Sequence, residues 1–140
     1  MNRFVMDCSV SMAWCFEDEK TSYTEALLNA LSGGANAVVP SLWSYEVLNV
    51  LVIAQRRKRM TQAQALHFWR ELQSLPIRID ENQHDRPSLE IMALAEQHQL
   101  TAYDAAYLEL ALREGLPLAS LDEDLKKAAK AAGVPAAHQR

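Results

Sequence analysis

Short apolar runs alternate with longer amphipathic stretches along this chain. A short run that is apolar and then abruptly polar is typical of a strand buried in a sheet. Such runs predict four strands, at residues 4–7, 37–39, 77–79 and 118–120. The longer stretches repeat apolar residues at helical spacing and end near Gly or Pro. They predict a helical turn at residues 10–16 and helices at 21–31, 42–57, 61–75, 87–98, 102–114 and 122–132, with Ser41, Thr61 and Thr101 as caps.

Strands that alternate with helices favour a mostly parallel sheet with helices on both faces. We therefore predict an α/β fold of three layers, α/β/α, around a central sheet of four strands. Val134, after Gly133, is predicted to add a short fifth strand at the edge. The length of 140 residues suits one compact domain with its own core. Since no repeat or linker divides the chain, we predict a single domain over residues 1–140.

Composition narrows the class of protein. Hydrophobic residues make up 49% of the chain and only four Gly and five Pro interrupt them, which excludes a disordered or collagen-like protein. The longest apolar stretch, residues 47–54, is broken by Asn49 and is too short to span a bilayer. No apolar secretion signal develops before Asp7, and Cys8 and Cys15 lack the spacing of a metal knuckle. We therefore expect a cytoplasmic protein with reduced cysteines and no membrane partner.

Four acidic residues follow the predicted strands or lie in the first turns of the next helix: Asp7, Glu46, Asp104 and Asp122. In a parallel sheet the carboxyl ends of all strands lie on one edge, which is where ligands bind. Acids placed there converge, and each close pair of carboxylates repels by about 4 kcal/mol at an effective dielectric constant near 20. Such a cluster requires protons or a divalent cation. It suits a Mg²⁺ or Mn²⁺ site for phosphodiester chemistry.

Three of these acids have an equally simple structural interpretation. Asp7 and Asp122 fit helix caps, and Asp104 with Thr101 fits the capping pattern of a hydroxyl residue followed three positions later by an acid. The helix that carries Glu46 is apolar nearly all round, and a buried carboxylate without a partner is costly. A buried Arg is one possible partner, but local spacing places no candidate, so metal coordination is the favoured role for Glu46.

Neighbouring polar residues are candidates for supporting roles. Asn49 follows Glu46 by nearly one helical turn and is predicted to orient its carboxylate. Ser120 and Asp124 lie beside Asp122, and Asp124 is a candidate fifth acid.

Four segments, in this order, resemble the PIN-domain family and in particular its VapC-type ribonuclease toxins. They are residues 5–10 (VMDCSV), 39–51 (VPSLWSYEVLNVL), 100–108 (LTAYDAAYL) and 118–122 (LASLD). A single segment would be a weak signal. The four in series span nearly the whole chain and are a strong one.

The resemblance implies a compact α/β/α fold and cleavage of RNA that depends on Mg²⁺ or Mn²⁺, with water as the nucleophile. It implies that the catalytic and metal-binding acids are Asp7, Glu46, Asp104 and Asp122. It also implies that Ser9 and Thr101 place polar groups near the metal. Ser120 stands where many members have Thr, which keeps the hydroxyl.

Basic residues form two groups. Candidates for RNA contact are Arg56, Arg57, Lys58, Arg59, Lys126 and Lys127. The first four end a predicted helix, where cations also complement the helix dipole. The two lysines belong to a largely solvated helix face that begins at Asp122. The formal net charge of −4 argues against a protein held to nucleic acid by its overall charge, but not against a nuclease with local basic residues.

Apolar surface points to protein partners. The helices at residues 21–31 and 42–54 carry more apolar surface than a monomer of this size readily hides, which is typical of an interface. For a VapC-like toxin, the resemblance implies that these partners are a second copy of the chain and a cognate antitoxin protein.

Two other functions compete with the nuclease. A signalling receiver also binds Mg²⁺ at strand ends, and Asp80 could imitate its phosphoacceptor, but the first strand offers Asp7 alone and no Lys ends the fourth strand. A partner-binding module without catalysis would result if the acids were caps only. The four histidines, His67, His84, His98 and His138, are interpreted as surface residues.

Overall fold

The computed structural model describes residues 2–81 and 85–138, without the side chains of residues 85 and 86. The elements in this part of the chain are β1 (Arg3–Met6), α1 (Cys8–Ala13), α2 (Ser22–Ser32), β2 (Asn36–Pro40), α3 (Leu42–Arg56), α4 (Gln62–Ser74), β3 (Ile77–Asp80), α5 (Asp85–His98), α6 (Ala102–Glu114), β4 (Leu118–Ala119) and α7 (Glu123–Ala131). A turn of 3₁₀ helix, Glu17–Glu19, follows α1 and was not predicted.

The described strands form one parallel sheet in the order β3-β2-β1-β4. Val5 of β1 lies opposite Val38 on one side and Leu118 on the other. The chain steps from β1 to β2 to β3 in one direction and then places β4 on the other side of β1. Because such crossovers are right-handed, this reversal puts α1–α4 on one face and α5–α7 on the other. The predicted three-layer α/β/α fold is confirmed.

The reversal of strand order also determines where a ligand can bind. In open α/β sheets the crevice lies outside the carboxyl ends of the strands, at the point where the order reverses. Here that point lies between β1 and β4. The residues that follow Met6 and Ala119 therefore flank the crevice.

The core lies on both faces of the sheet, which explains the continuous apolar runs. Phe4, Val5 and Met6 are fully buried. On the first face, Trp43 of α3 stacks on Trp69 of α4 with ring centroids 6.3 Å apart. The indole Nε1 of Trp43 donates to the Ser11 hydroxyl at 2.9 Å, so α1, α3 and α4 pack as one unit.

Helix caps agree with the prediction at two of three sites. Thr61 and Thr101 each accept a hydrogen bond from the amide three residues later, at 3.1 Å. The prediction for Ser41 is wrong, because its backbone is already helical (φ −58°, ψ −30°) and its side chain makes no capping hydrogen bond. A cap requires extended backbone, which turns the side chain back toward the free amides.

The predicted edge strand is displaced by two residues. Val134 is buried but unpaired as a strand, whereas Ala136 forms an isolated parallel bridge with Leu118. Pro135 has no N–H, so the ladder runs through its carbonyl, which accepts from the Leu118 amide at 3.0 Å. The edge of β4 is therefore covered by the chain that follows α7.

Apolar side chains remain exposed on α3, α4 and α5. Leu48 and Val52 of α3 are 39% and 40% exposed, and Leu66 of α4 is 46% exposed. The large apolar side chains of α2 are instead buried or half-buried. The prediction of excess apolar surface is therefore wrong for α2, whereas it holds for α3. Within residues 2–81 and 85–138, no helix is long and apolar enough to cross a membrane.

Candidate active site

Asp7 lies directly after β1 with only 5% of its surface exposed. Its carboxylate accepts two short hydrogen bonds of 2.5 Å, from the Ser9 hydroxyl to Oδ1 and from the Ser120 hydroxyl to Oδ2. Each hydroxyl in turn accepts from a backbone amide, Leu121 N at 2.9 Å for Ser9 and Asp122 N at 2.9 Å for Ser120. The two serines thus connect the acid after β1 to the loop after β4, across the crevice where the strand order reverses.

Burial raises the pKa of Asp7. The hydrogen bonds from Ser120, Ser9 and the Val10 amide lower this pKa, and the charge of Asp104 raises it. The capping bond from Val10 N is long, at 3.4 Å. Asp7 is therefore a cap only weakly, and its charged form gains from a nearby cation.

The arrangement around Asp7 predicts the effect of removing one serine hydroxyl. Ser120→Ala is expected to lower the free energy of unfolding by about 1–3 kcal/mol, because it removes a donor to a buried carboxylate and the acceptor of the Asp122 amide. Urea denaturation at neutral pH measures this loss. Ser74→Ala, which removes an exposed hydroxyl that donates to the Glu71 carbonyl, is expected to stay within about 0.5 kcal/mol. Equal losses in both variants would contradict the role of Ser120.

Glu46 lies one turn into α3 and is half-buried. Its Oε1 accepts from the Tyr107 hydroxyl at 2.5 Å, and Tyr107 is itself 1% exposed on α6. Burial raises the pKa of Glu46, the Tyr107 hydrogen bond lowers it, and the charges of Asp104 and Asp7 raise it. Glu46 therefore faces the other acids from the opposite layer of the fold.

The residue that orients Glu46 is not the one predicted. Asn49 is exposed on α3, and the hydrogen bond recorded to Glu46 in the described part of the chain comes from Tyr107 instead. Sequence reasoning missed Tyr107 because its apolar neighbours make it a typical core residue. Its position three residues after Asp104, on the same face of α6, was the available signal.

Asp104 and Asp122 lie at the starts of α6 and α7. The Thr101 hydroxyl caps α6, and Asp122 caps α7 by accepting from the Leu125 amide at 2.8 Å. Burial raises the pKa of Asp104, and the charges of Asp122 and Asp124 raise it further. Asp122 and Asp124 are both exposed. Asp122 therefore caps α7 and also lies near Asp104.

The acids predicted from the sequence thus come within electrostatic range of one another. The charge of Asp104 raises the pKa of Asp7 and that of Glu46. The charges of Asp122 and Asp124 raise the pKa of Asp104. Asp7 follows β1 and Asp104 lies in α6, so two residues that are 97 positions apart in sequence meet at one sheet edge. The result is a buried acid at the base of the crevice with more exposed acids at its mouth.

Oxygen donors of this kind fit a hard divalent cation. In residues 2–81 and 85–138, no three His, Cys, Asp or Glu side chains form a ready-made metal cluster. Mg²⁺ does not require one, because it keeps several of its waters and binds proteins through one or two carboxylates. Burial, and to a smaller extent the charges of neighbouring acids, raises the pKa of Asp7, Glu46 and Asp104, so a bound cation would favour their charged forms. The donor set therefore fits Mg²⁺ or Mn²⁺.

The two basic groups lie at different distances from the acids. Arg56 follows Glu46 by ten residues in the same helix, about 15 Å along its axis. Arg59 is engaged with Asp18 at 3.4 Å and lies over the Phe16 ring at 4.0 Å. Lys126 and Lys127, by contrast, are on α7, which begins at the acids.

Arg113 and Asp80 are engaged in ion pairs of their own. Arg113 of α6 pairs with Glu109 and with Asp80, both at 2.8 Å. Asp80 is therefore held in an ion pair and does not present a free phosphoacceptor. Burial raises the pKa of the Cys8 thiol to about 12, in keeping with an inert apolar role.

No hydrogen bond or ion pair joins a histidine to the four acids in residues 2–81 and 85–138. His67 is exposed and pairs with Glu71. His138 is half-buried: it contacts the Phe4 ring edge-on at 5.8 Å and its Nε2 is buried, so it is only partly a surface residue. His84 lies outside the described residues.

Known proteins match this chain in sequence and in fold. Ribonuclease VapC3 of Pyrobaculum aerophilum is 29% identical over 123 residues, which cover 88% of this chain and 92% of that protein. The crystal structure of PAE2754 from Pyrobaculum aerophilum matches with a TM-score of 0.70 and 23% identity, over 91% of this chain and 86% of that one. VapC20 of Mycobacterium tuberculosis, described as a sarcin-ricin loop cleaving toxin, matches with a TM-score of 0.62 and 14% identity, over 89% of this chain and 94% of that one.

The family model described as PIN domain matches residues 4–131, far more than half of the chain. This range contains the four predicted acids together with Ser9, Thr101 and Ser120. The protein belongs to the PIN domain family.

Proposed function

We propose that this protein is an endoribonuclease that hydrolyses RNA phosphodiester bonds at the acids beside the β1–β4 crevice. The observation that carries the proposal is the buried Asp7 carboxylate, which is held by two serine hydroxyls and lies within electrostatic range of Asp104. An acid that is costly to ionise, at the ligand-binding edge of the sheet, is suited to bind a cation rather than to stabilise the fold. The VapC3 relative, named a ribonuclease, supports RNA as the substrate.

Each acid has a role in the proposal. Asp7, Glu46, Asp104 and Asp122 would hold Mg²⁺ or Mn²⁺, with Asp124 as an additional acid at the mouth of the crevice. When bound, such a cation lowers the pKa of a water molecule and stabilises the charge of the phosphate. Ser9 and Ser120 fix the orientation of Asp7, and Thr101 positions the start of α6. The water oxygen attacks the phosphorus and loses a proton to solvent, while the bond to the leaving oxygen breaks and that oxygen takes up a proton, which leaves a phosphate monoester and a free hydroxyl end.

The proposal includes the biological context of the enzyme. We propose that it is the cytoplasmic toxin of a toxin–antitoxin pair, since the relatives include VapC3 and a toxin that cleaves the sarcin-ricin loop. The exposed apolar residues of α3 and α4, Leu48, Val52 and Leu66, support an interface with a second copy or with an antitoxin protein.

The test is RNA cleavage by purified protein freed of any partner. Total RNA incubated with the protein and Mg²⁺ or Mn²⁺ is expected to yield discrete fragments. The proposal would be overturned if neither ion supported cleavage, or if the Asp7→Asn and Asp104→Asn variants cleaved RNA as fast as the unsubstituted protein.

Tyr107 provides a second test of the same site. Tyr107→Phe is expected to raise the Mg²⁺ concentration needed for half-maximal cleavage by about 10–100-fold, the usual effect of losing a group that orients a ligand. The free energy of unfolding should fall by only about 1 kcal/mol. Tyr45→Phe, a change at an exposed residue next to Glu46, is the matched control and should leave the Mg²⁺ dependence unchanged. If Tyr107→Phe also leaves it unchanged, Tyr107 does not position Glu46.

A further inference from the structure

A groove runs along α7 from the acids to the covered edge of β4. Its volume is about 860 Å³. Ser120 and Asp124 line one end, and Pro135 contributes to an apolar floor. Lys126, Lys127 and Lys130 line its wall. Because the Ser120 hydroxyl also donates to Asp7, this groove adjoins the candidate active site.

Charge changes sign along the groove. The first turn of α7 carries Glu123 and Asp124, directly after Asp122. The lysines follow on the next turns, and all three are exposed. Lys126 is paired with Glu123 at 2.9 Å. Lys127 and Lys130 lie further along the helix, so their charges are available to an anion in the groove.

The spacing of the lysines suits a nucleic-acid strand. Lys127 and Lys130 are three residues apart on one helix, with about 5–6 Å between their Cβ atoms. They lie about 7.5 Å and about 12 Å along the helix axis from Asp122. These distances are comparable to one or two nucleotide steps from a phosphate at the acids. The basic run at the end of α3 is further from the acids, and Arg59 in it is already paired.

We propose that the α7 groove binds the single RNA strand on one side of the scissile phosphate. Lys127 and Lys130 contact two successive phosphates, and the apolar floor faces the sugars and bases. This inference rests on the proposed function and adds the path that the substrate takes from the active site.

The test measures binding without cleavage. An Asp7→Asn protein, which retains the groove, is titrated with a fluorescent unstructured RNA oligonucleotide at a series of KCl concentrations. Adding Lys127→Gln and Lys130→Gln is expected to make the slope of log K against log salt shallower by about 1.4, because each phosphate contact on a single strand contributes about 0.7. The affinity at low salt should fall at least about 10-fold, which corresponds to about 1.4 kcal/mol of binding free energy.

Two further pairs of substitutions make the result decisive. Lys20→Gln with Arg70→Gln makes the same change in net charge at exposed positions on other elements, and it should leave the slope unchanged. Arg56→Gln with Arg57→Gln tests the competing basic run. An unchanged slope for the α7 pair, an equal change in the Lys20 and Arg70 pair, or a larger change in the Arg56 and Arg57 pair would each overturn the inference.

Cleavage assays on proteins that keep Asp7 separate this inference from the proposed function. With the wild-type acids in place, the α7 pair is expected to raise KM about 10-fold and to change kcat little. If RNA is cleaved but KM and the salt slope do not change, only the groove assignment fails. If no RNA is cleaved under any condition, the proposed function fails, and the binding titration still decides whether the groove holds RNA.

Discussion

Asp7→Asn is expected to lower the rate of RNA cleavage by at least about 100-fold without loss of the fold. Loss of a group that merely orients a ligand costs 10–100-fold, so loss of the charge at the base of the site should cost more. Asn keeps the size of the side chain, its ability to cap α1, and an oxygen that can accept from Ser9 or Ser120. Initial rates on one RNA, at equal protein concentration, measure the effect.

The matched control is Asp18→Asn, the same chemical change at an exposed residue that pairs with Arg59 on the surface. Its cleavage rate should stay within about two-fold of the rate of the unsubstituted protein. Surface substitutions of this kind change the free energy of unfolding by no more than about 0.5 kcal/mol, so the site stays folded. If Asp7→Asn cleaves at the rate of this control, the observed activity belongs to a contaminant.

The raised pKa of Asp7 also predicts how the stability of the protein depends on pH. Burial raises the pKa of Asp7 in the folded protein above its value of 3.8 in an unfolded chain. The stability that Asp7 contributes is therefore fully present below the unfolded pKa and is lost as pH rises through the folded pKa. At neutral pH and without metal, Asp7→Asn should be at least as stable as the unsubstituted protein, as urea denaturation can check. A large destabilisation would show that Asp7 is a structural acid.

Removal of divalent metal is expected to abolish cleavage. Treatment with EDTA should reduce RNA cleavage to background, and added Mg²⁺ or Mn²⁺ should restore it. The physical reason is that Asp7, Glu46 and Asp104 all have raised pKa values and repel one another, so a cation is needed to neutralise them. Because protons compete for the same carboxylates, the Mg²⁺ concentration for half-maximal cleavage should rise as pH falls.

Metal binding has a readout that does not depend on cleavage. A cation at 100 times its dissociation constant should raise the free energy of unfolding by about 2.7 kcal/mol. Asp7→Asn should lose most of this gain, whereas Asp18→Asn should keep it. Equal stabilisation of both variants by Mg²⁺ would mean that the ion binds elsewhere on the protein.

Local patterns predicted most of the architecture. Strands buried on both faces read as continuous apolar runs, so β1, β2 and β4 were visible from the sequence to within one or two residues. The edge strand β3, in which Arg78 and Ile79 are exposed, was predicted to within one residue as well. Helix starts were visible where a threonine caps, as at Thr61 and Thr101. Ser41 failed because the same residue type can stand inside a helix, and only the backbone angles distinguish the two positions.

The proximity of the acids was predictable for the same reason. Each acid stands at the end of a strand or in the first turns of a helix, and in a parallel sheet these positions share one edge. Tyr107 could not be found in this way. Its hydroxyl meets Glu46 across 61 residues of sequence, and nothing in the local periodicity of α6 distinguishes a core tyrosine from one that orients an acid.

The sequence by itself determined where most strands and helices lie, which acids follow strands or begin helices, and which family pattern these residues make. Those properties depend on local periodicity and residue type. Only the tertiary structure decided that two serines hold Asp7 and that Tyr107 rather than Asn49 holds Glu46. Those contacts depend on strand order and on how helices cross the sheet, which are set by the packing of the whole core.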